Sequence, residues 1–256
     1  MTPTPLAAIT AYLDTLLPQS TYTDASQNGL QVDAGKAMVS CVGFAVDAGE
    51  SVISEAISRG VDLLVVHHGL LWSHAPSRLI GPFARKVRLL MTAGCSLYAS
   101  HLPLDGHQTL GNAAQIAATL NLEYVAPFCH YKGGPVGCRG NFVSLTTIEE
   151  INNQVATFRG HSPVQFLPFG ATSFQTVAIV TGSGSFAIEE CAAAGIDLLL
   201  SGEPKHEAYH LAKELRQSVL FAGHYATETF GVAALEREIA RQFGVKTCFI
   251  DEPSGI

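Results

Sequence analysis

Apolar positions along the chain fall into short runs and helical stripes that alternate. Leu6, Ile9, Leu13, Leu16 and Leu17 recur at helical spacing and stop at Pro18, which predicts a helix. Cys41 to Val46 reads as a strand. Ala48 to Arg59 is amphipathic and closed by Gly60, the pattern of a helix with a C-terminal glycine. The apolar run Leu63 to Val66 reads as a buried strand that ends in His67, His68 and Gly69. Pro82 to Ala93 follows as a helix, Ser96 to Ser100 as a strand running into His101 and Asp105, and Asn112 to Leu120 as a helix. Asn28-Gly29 signals a turn.

The second half repeats this plan. Val177 to Thr181 predicts a strand, Ser185 to Ala194 a helix ended by Gly195, and Asp197 to Leu200 a strand. Residues 56–64 align with 191–199 at an offset of 135, which places Gly60 on Gly195 and Asp62 on Asp197. Residues 97–101 echo 220–224 at an offset of 123, which places His101 on His224 and Asp105 on Glu228. Two copies are too few for a solenoid. They predict an α/β protein of two similar lobes, with helices flanking mixed sheets and a site between the lobes at the C-terminal ends of the strands. The lobes are placed at residues 1–125 and 126–256, with 220–256 free to pack on the first. The segment from Pro127 to Gly170 reads as a connection holding one strand, Asn141 to Leu145, and one helix, Ile148 to Phe158.

Composition narrows the function. Charged residues make up 14% of the 256, below the roughly 25% usual in soluble domains, which points weakly to surface hidden in an oligomer. The net charge of -7, without a Lys/Arg cluster, argues against a nucleic-acid partner. No apolar run reaches the length of a membrane span, and the N-terminus lacks the basic start of a signal peptide. Six scattered cysteines without a C-x-x-C pair read as reduced core thiols of a cytoplasmic protein.

Three strand ends carry ligand-type side chains: His67 with His68, His101 with Asp105, and His224 with Glu228. Such a set suits Zn, Fe, Mn or Co better than Mg or Ca. It exceeds the needs of one tetrahedral structural zinc. Shared between two ions it leaves positions for a bridging water or hydroxide that attacks a polarised carbon or phosphorus centre. In that scheme His67 and His68 each anchor a metal.

Six motifs occur in order: Gln27 to Val32, Val66 to Gly69, His101 to Asp105, Gly111-Asn112, Ser201 to Glu203, and Gly223 to Glu228. Together they resemble the NIF-three-like dinuclear metal-centre family, whose bacterial members are called GTP cyclohydrolase I type 2 homologues. The resemblance covers nearly the whole chain and matches the short form, without a domain inserted mid-chain. It implies metal ligands at His67, His68, Asp105, His224 and Glu228, two divalent transition-metal ions (Zn, Fe or Mn), and a ring-shaped homohexamer. It also implies hydrolysis of a small molecule, with a nucleotide as the candidate. Under it, His101 is a partner of the ligands or a proton shuttle, or is packed beside the site. Glu203 lines the pocket, or is a structural carboxylate at a helix N-terminus. The alternative function is a carrier or regulator that stores, inserts or senses metal without turnover.

Two further strings compete. His206 to His210 matches H-E-x-x-H but brings no third ligand, and its bland reading is a surface helix. Gly182 to Ala187 matches G-x-G-x-x-A with Glu203 about twenty residues on, the spacing of a dinucleotide fingerprint. The reading preferred is a tight turn, with Gly182 and Gly184 offering backbone N–H groups to a substrate anion or holding no ligand.

Overall fold

The computed structural model describes residues 2–73, 78–161 and 163–256. The chain is α/β and divides into two compact units. One comprises Met1–Leu104 with Val232–Glu252, the other Asp105–Gly231 with Pro253–Ile256.

The first unit is built on a five-stranded sheet. Its spatial order is Lys246–Phe249, Cys41–Asp47, Leu63–His68, Ser96–Ala99 and Gly29–Val32. The first four strands are parallel and the last antiparallel. Gly29, expected in a turn, opens that edge strand with φ +105°. The central strands are buried almost throughout, which is why they read as unbroken apolar runs rather than alternating ones. Helix Glu50–Ser58 lays Val52, Ile53 and Ala56 on Leu64 and Val66, and ends at Gly60, whose φ of +72° any side chain would strain. Helix Gly81–Ala93 starts with a proline in its first turn and stops at left-handed Gly94. Each large aliphatic residue buried here contributes about 1.5–3 kcal/mol.

The second unit holds a six-stranded mixed sheet. Its order is Glu123–Tyr131, Gly134–Thr147, Ser173–Val180, Leu198–Ser201, Ser218–Phe221 and Gln165–Pro168. Only the two pairings among Ser173–Val180, Leu198–Ser201 and Ser218–Phe221 are parallel. Phe174, Val177, Ile179, Leu198, Leu200 and Leu220 meet Ile116, Ile151 and Val155 in its core.

Here the structure corrects the reading of the middle of the chain. The supposed connection is a long hairpin that starts at Glu123, followed by helix Ile148–Val155 and strand Gln165–Pro168. Lys132 and Gly133 form its two-residue loop, both with positive φ (54° and 116°), the backbone that matches strand twist. Pro127, Gly137 and Gly140 interrupt the strand pattern, and the register shifts between Glu123 and Ala126, so no alternation marks these strands.

All six cysteines are unbridged, and five are buried. Burial pushes the Cys95 and Cys138 thiols up to about 12, which keeps them inert.

Two aspartates pin strand starts in the same way. Asp62 accepts the N–H groups of Ser40 (2.6 Å) and Cys41 (3.1 Å) and an ion pair from Lys36. Asp197 accepts those of Gln175 (2.9 Å) and Thr176 (2.8 Å). Burial opposes ionisation of Asp62, but the bonds from Lys36, Ser40 and Cys41 hold its carboxyl below its ordinary 3.8. Its stabilisation is therefore present above that value and lost as pH falls through the lower, folded one. Asp62→Ala should cost about 1–3 kcal/mol by leaving buried N–H groups without an acceptor, while Asp62→Asn, which keeps one acceptor oxygen, should cost less. Urea unfolding midpoints at neutral pH check this ordering.

Candidate metal centre

His67 and His68 are the last two residues of strand Leu63–His68, and His101 follows strand Ser96–Ala99. Each offers one ring nitrogen to a group in which these atoms lie within 4.8 Å of one another. His67 is fully buried, with its ring centroid 4.6 Å from that of His68 and 5.1 Å from that of His101.

What fixes the rings is the Nδ1 atom of each. His67 Nδ1 lies 3.0 Å from the Ser100 carbonyl oxygen, His68 Nδ1 2.8 Å from Asp47 Oδ1, and His101 Nδ1 2.9 Å from Asp24 Oδ1. A carbonyl or carboxylate oxygen only accepts, so Nδ1 carries the proton in all three and Nε2 carries the lone pair of the neutral ring. Strand register supplies the second contact, because Asp47 and His68 are direct partners across parallel strands.

Asp24 is the busiest of these acceptors. It also takes N–H groups from Ser26 (3.0 Å) and Leu102 (3.0 Å) and the Asn28 amide (2.9 Å). Burial disfavours its charge, yet the hydrogen bonds from His101, Asn28 and the Ser26 N–H hold its carboxyl well below the ordinary range. Asn28 Oδ1 accepts the backbone N–H of His101 at 2.8 Å. Gln31 braces the turn after His68, accepting the N–H groups of Leu70 (2.7 Å) and Leu71 (3.0 Å). A Cβ on Gly69 would lie 2.4 Å from Gln31 Oε1 and 2.6 Å from the Ala99 Cβ, so only glycine leaves that brace in place.

In the second unit, His224 and Glu228 occupy the first turns of helix His224–Phe243, one turn apart on one face. Glu228 Oε2 lies 3.1 Å from His224 Nε2, and Glu203 Oε1 lies 3.1 Å from His224 Nδ1. Ser183 donates to Glu203, so that carboxylate bridges the glycine turn and His224. Asp105 accepts the Asn112 amide (2.9 Å) and the Thr181 hydroxyl (3.3 Å). Buried Asn112 accepts the N–H of Gly231 at 2.7 Å. Gly182, with φ +58°, donates its N–H to Thr227 Oγ1 and accepts those of Gly202 and Glu203. Gly184 is close against Ser201 Oγ, which a Cβ would meet at 2.6 Å.

His206 and His210 sit apart from these groups on exposed positions of helix His206–Leu215. Among the described residues no third His, Cys, Asp or Glu joins them in a ligand cluster. Sequence reasoning passed over Asp24 and Asp47 as acceptors for the rings. Asp24 stands four residues before Asn28 in a polar segment, and only the folded backbone of His101 and Leu102 shows its role.

Fold and site together define an α/β protein with imidazole and carboxylate groups that could hold metal ions. A model of the family Duf34/NIF3 (NGG1p interacting factor 3) matches residues 4–254, and the chain belongs to that family. Proteins named GTP cyclohydrolase 1 type 2 homolog resemble it over nearly their full length. The one from Pyrococcus horikoshii is 44% identical over 97% of this chain and 98% of its own. The one from Halobacterium salinarum is 42% identical over the same shares. The crystal structure of TTHA1606 from Thermus thermophilus aligns with a TM-score of 0.90 at 36% identity, over 99% of this chain and 100% of that one. Reduced HcgD from Methanocaldococcus jannaschii aligns with a TM-score of 0.86 at 26% identity, over 98% and 100%. Among the described residues no helix is long and apolar enough to cross a membrane.

Two expectations follow from this geometry. A Cβ at position 182 would lie 2.2 Å from Glu228 Oε1 and 3.2 Å from His224 Nε2, on a backbone that already disfavours side chains. Gly182→Ala should therefore displace Glu228 and weaken divalent-metal binding at least tenfold with the far-ultraviolet circular dichroism spectrum retained; metal titration checks both.

Burial would drive the proton off His224, but Glu228 and Glu203 outweigh it and raise the ring from its ordinary 6.5 to about 9. A raised value stabilises the metal-free protein fully below 6.5, and this is lost as pH rises through about 9. Metal uptake at His224 should then release a proton below that pH and tighten as pH rises through this window. Calorimetry in buffers of different ionisation enthalpy reads the proton count; equal heats in all buffers would refute it.

Proposed function

We propose that this chain is a dinuclear metal-dependent hydrolase that holds two divalent transition-metal ions through His67, His68, Asp105, His224 and Glu228. The observation that carries this reading is the grouping of ring nitrogens of His67 and His68 with that of His101 within 4.8 Å, with Nδ1 of His67 and of His68 held by an oxygen acceptor, as the rings of metal-binding histidines usually are. The donor set fits the ions chemically: imidazoles suit Zn and Fe, and the Asp105 and Glu228 carboxylates offset positive charge. Ions so bound would supply Lewis acidity and lower the pKa of water near neutral pH.

The protein's own residues do the rest. Ser183 and Glu203 set the orientation of His224, and Asn112 and Thr181 that of Asp105. Gly182 stands beside His224 and Glu228, and Glu203 beside His224; with Gly184, on the same turn as Gly182, they would meet substrate. The names of the relatives favour a nucleotide substrate of the GTP cyclohydrolase kind, and six unbridged cysteines favour a cytoplasmic protein. A homohexameric ring would cover apolar side chains that the hairpin exposes, Tyr124, Val125, Val143 and Leu145.

The test is metal content per subunit and GTP turnover on protein purified without a histidine tag. Two ions and turnover in wild type are expected, both lost in His67→Ala and Glu228→Ala and both kept in His206→Ala. Absence of bound metal after reconstitution with Zn, Mn and Fe would sink the proposal. Two exchangeable ions without turnover of any nucleotide or phosphoester would replace the hydrolase with a metal carrier.

A further inference from the structure

Five of the six thiols are shut in the core, whereas Cys248 is only half-buried. It lies on strand Lys246–Phe249, at the edge of the five-stranded sheet and paired on one side only, with Cys41–Asp47. In that parallel pairing Lys246 stands opposite Cys41 and Cys248 opposite Gly43. Residues two apart on a strand share a face, so the two cysteines are diagonal neighbours on one side of the sheet. Gly43 puts no side chain between them. Both pack against the cluster that holds Val52, Ile53 and Ala56 of helix Glu50–Ser58. The Cys41 and Cys248 thiols share a hydrogen bond. Arg59, just past that helix, reaches across the strand and donates to the Phe249 carbonyl oxygen at 3.3 Å and to the Cys248 sulfur.

From this placement we propose that Cys248 and Cys41 are a site of reversible oxidation, joined as a disulfide when the protein meets a hydroperoxide. The Cys248 thiolate attacks the outer peroxide oxygen, the O–O bond breaks, and a sulfenic acid forms as water or an alcohol leaves. The Arg59 guanidinium stands beside the charge that moves in this step. The Cys41 sulfur then attacks the Cys248 sulfur. An S–S bond forms, the S–O bond breaks, and the hydroxyl leaves as water with the Cys41 proton. The two thiols lose two electrons in all, and the peroxide gains them. A low-molecular-weight thiol reverses the bond by exchange, which keeps it transient in a reducing compartment.

Geometry and burial select this pair. Diagonal neighbours in a sheet stand about 7–8 Å apart at Cα, and a disulfide spans at most about 6.8 Å. Closing the pair needs a shift of about one ångström, which a short strand at the open edge of a sheet can make. Burial pushes the Cys41 thiol up to about 11, and Cys248 beside it adds to the rise, so Cys41 keeps its proton until the sulfenic acid is in place. Burial pushes Cys95, Cys129 and Cys138 up to about 12 and raises Cys191 as well, so none of these competes for the peroxide. Neither sulfur belongs to the metal ligands named above, and the site stands or falls independently of the hydrolase reading.

The experiment is peptide mapping of the full chain after exposure to hydrogen peroxide, with free thiols alkylated on unfolding and the digest kept unreduced. The expected result is one linked pair of peptides, carrying Cys41 and Cys248, that dithiothreitol separates, with Cys95, Cys129, Cys138 and Cys191 recovered alkylated. Cys248→Ser should abolish the link. Cys41→Ser should leave a sulfenic acid at Cys248 that dimedone captures. Mapping of the wild-type chain needs no variant, so the test holds even where circular dichroism shows that a serine variant has not folded. Cys248 recovered as a free thiol after an exposure that fully oxidises glutathione would overturn the proposal. A link between Cys248 and a second copy of the chain, in place of the link to Cys41, would overturn it as well.

Discussion

A neutral imidazole has one N–H and one nitrogen lone pair, and an acceptor held against one nitrogen decides which of the two faces a metal. That constraint governs the arrangement of the first unit. The Ser100 carbonyl accepts the Nδ1–H of His67, Asp47 that of His68, and Asp24 that of His101. Each acceptor comes from a different piece of chain. Asp47 ends the strand beside His68, Ser100 follows the strand on the other side, and Asp24 lies in the polar segment before edge strand Gly29–Val32. Parallel pairing thus does more than bury Leu64 and Val66. It sets the register that places an oxygen against the rings of His67 and His68.

The second unit meets the same need with a helix. His224 and Glu228 share a face by helical periodicity, and Glu203 reaches the other nitrogen of the ring from the loop after strand Leu198–Ser201. Its price is packing so close that glycine is required at position 182, where Glu228 occupies the space a Cβ would take. The same periodicity puts His206 and His210 on one face of another helix, with ring centroids 6.2 Å apart. Those rings remain exposed and gather no third ligand among the described residues. Spacing brings two side chains together; only the fold around them makes a site.

The central parallel strands Cys41–Asp47, Leu63–His68 and Leu198–Ser201 were legible because they are buried and so appear as unbroken apolar runs, whereas parallel edge strand Lys246–Phe249, which is partly exposed, was not. Helix ends were legible because Gly60, Gly94 and Gly195 adopt positive φ there. The hairpin Glu123–Tyr131 with Gly134–Thr147 was not. Its first strand lies at the edge of the sheet, both strands carry glycine or proline, and their register shifts, so neither periodicity nor a familiar turn pair announces them. In the site, the histidines stood out as polar residues at the ends of apolar runs. Their acceptors did not, because Asp24 is distant from His101 in sequence and looks like any aspartate in a polar loop.

The most direct test of this account is anomalous X-ray diffraction at the Zn and Fe edges from crystals of the metal-loaded protein, refined for which nitrogen of each ring meets the ion. The account requires ions bound through Nε2 of His67 and His68, with the Nδ1 bonds to Ser100 and Asp47 intact. Binding through Nδ1, or ions found only at His206 and His210, would contradict it.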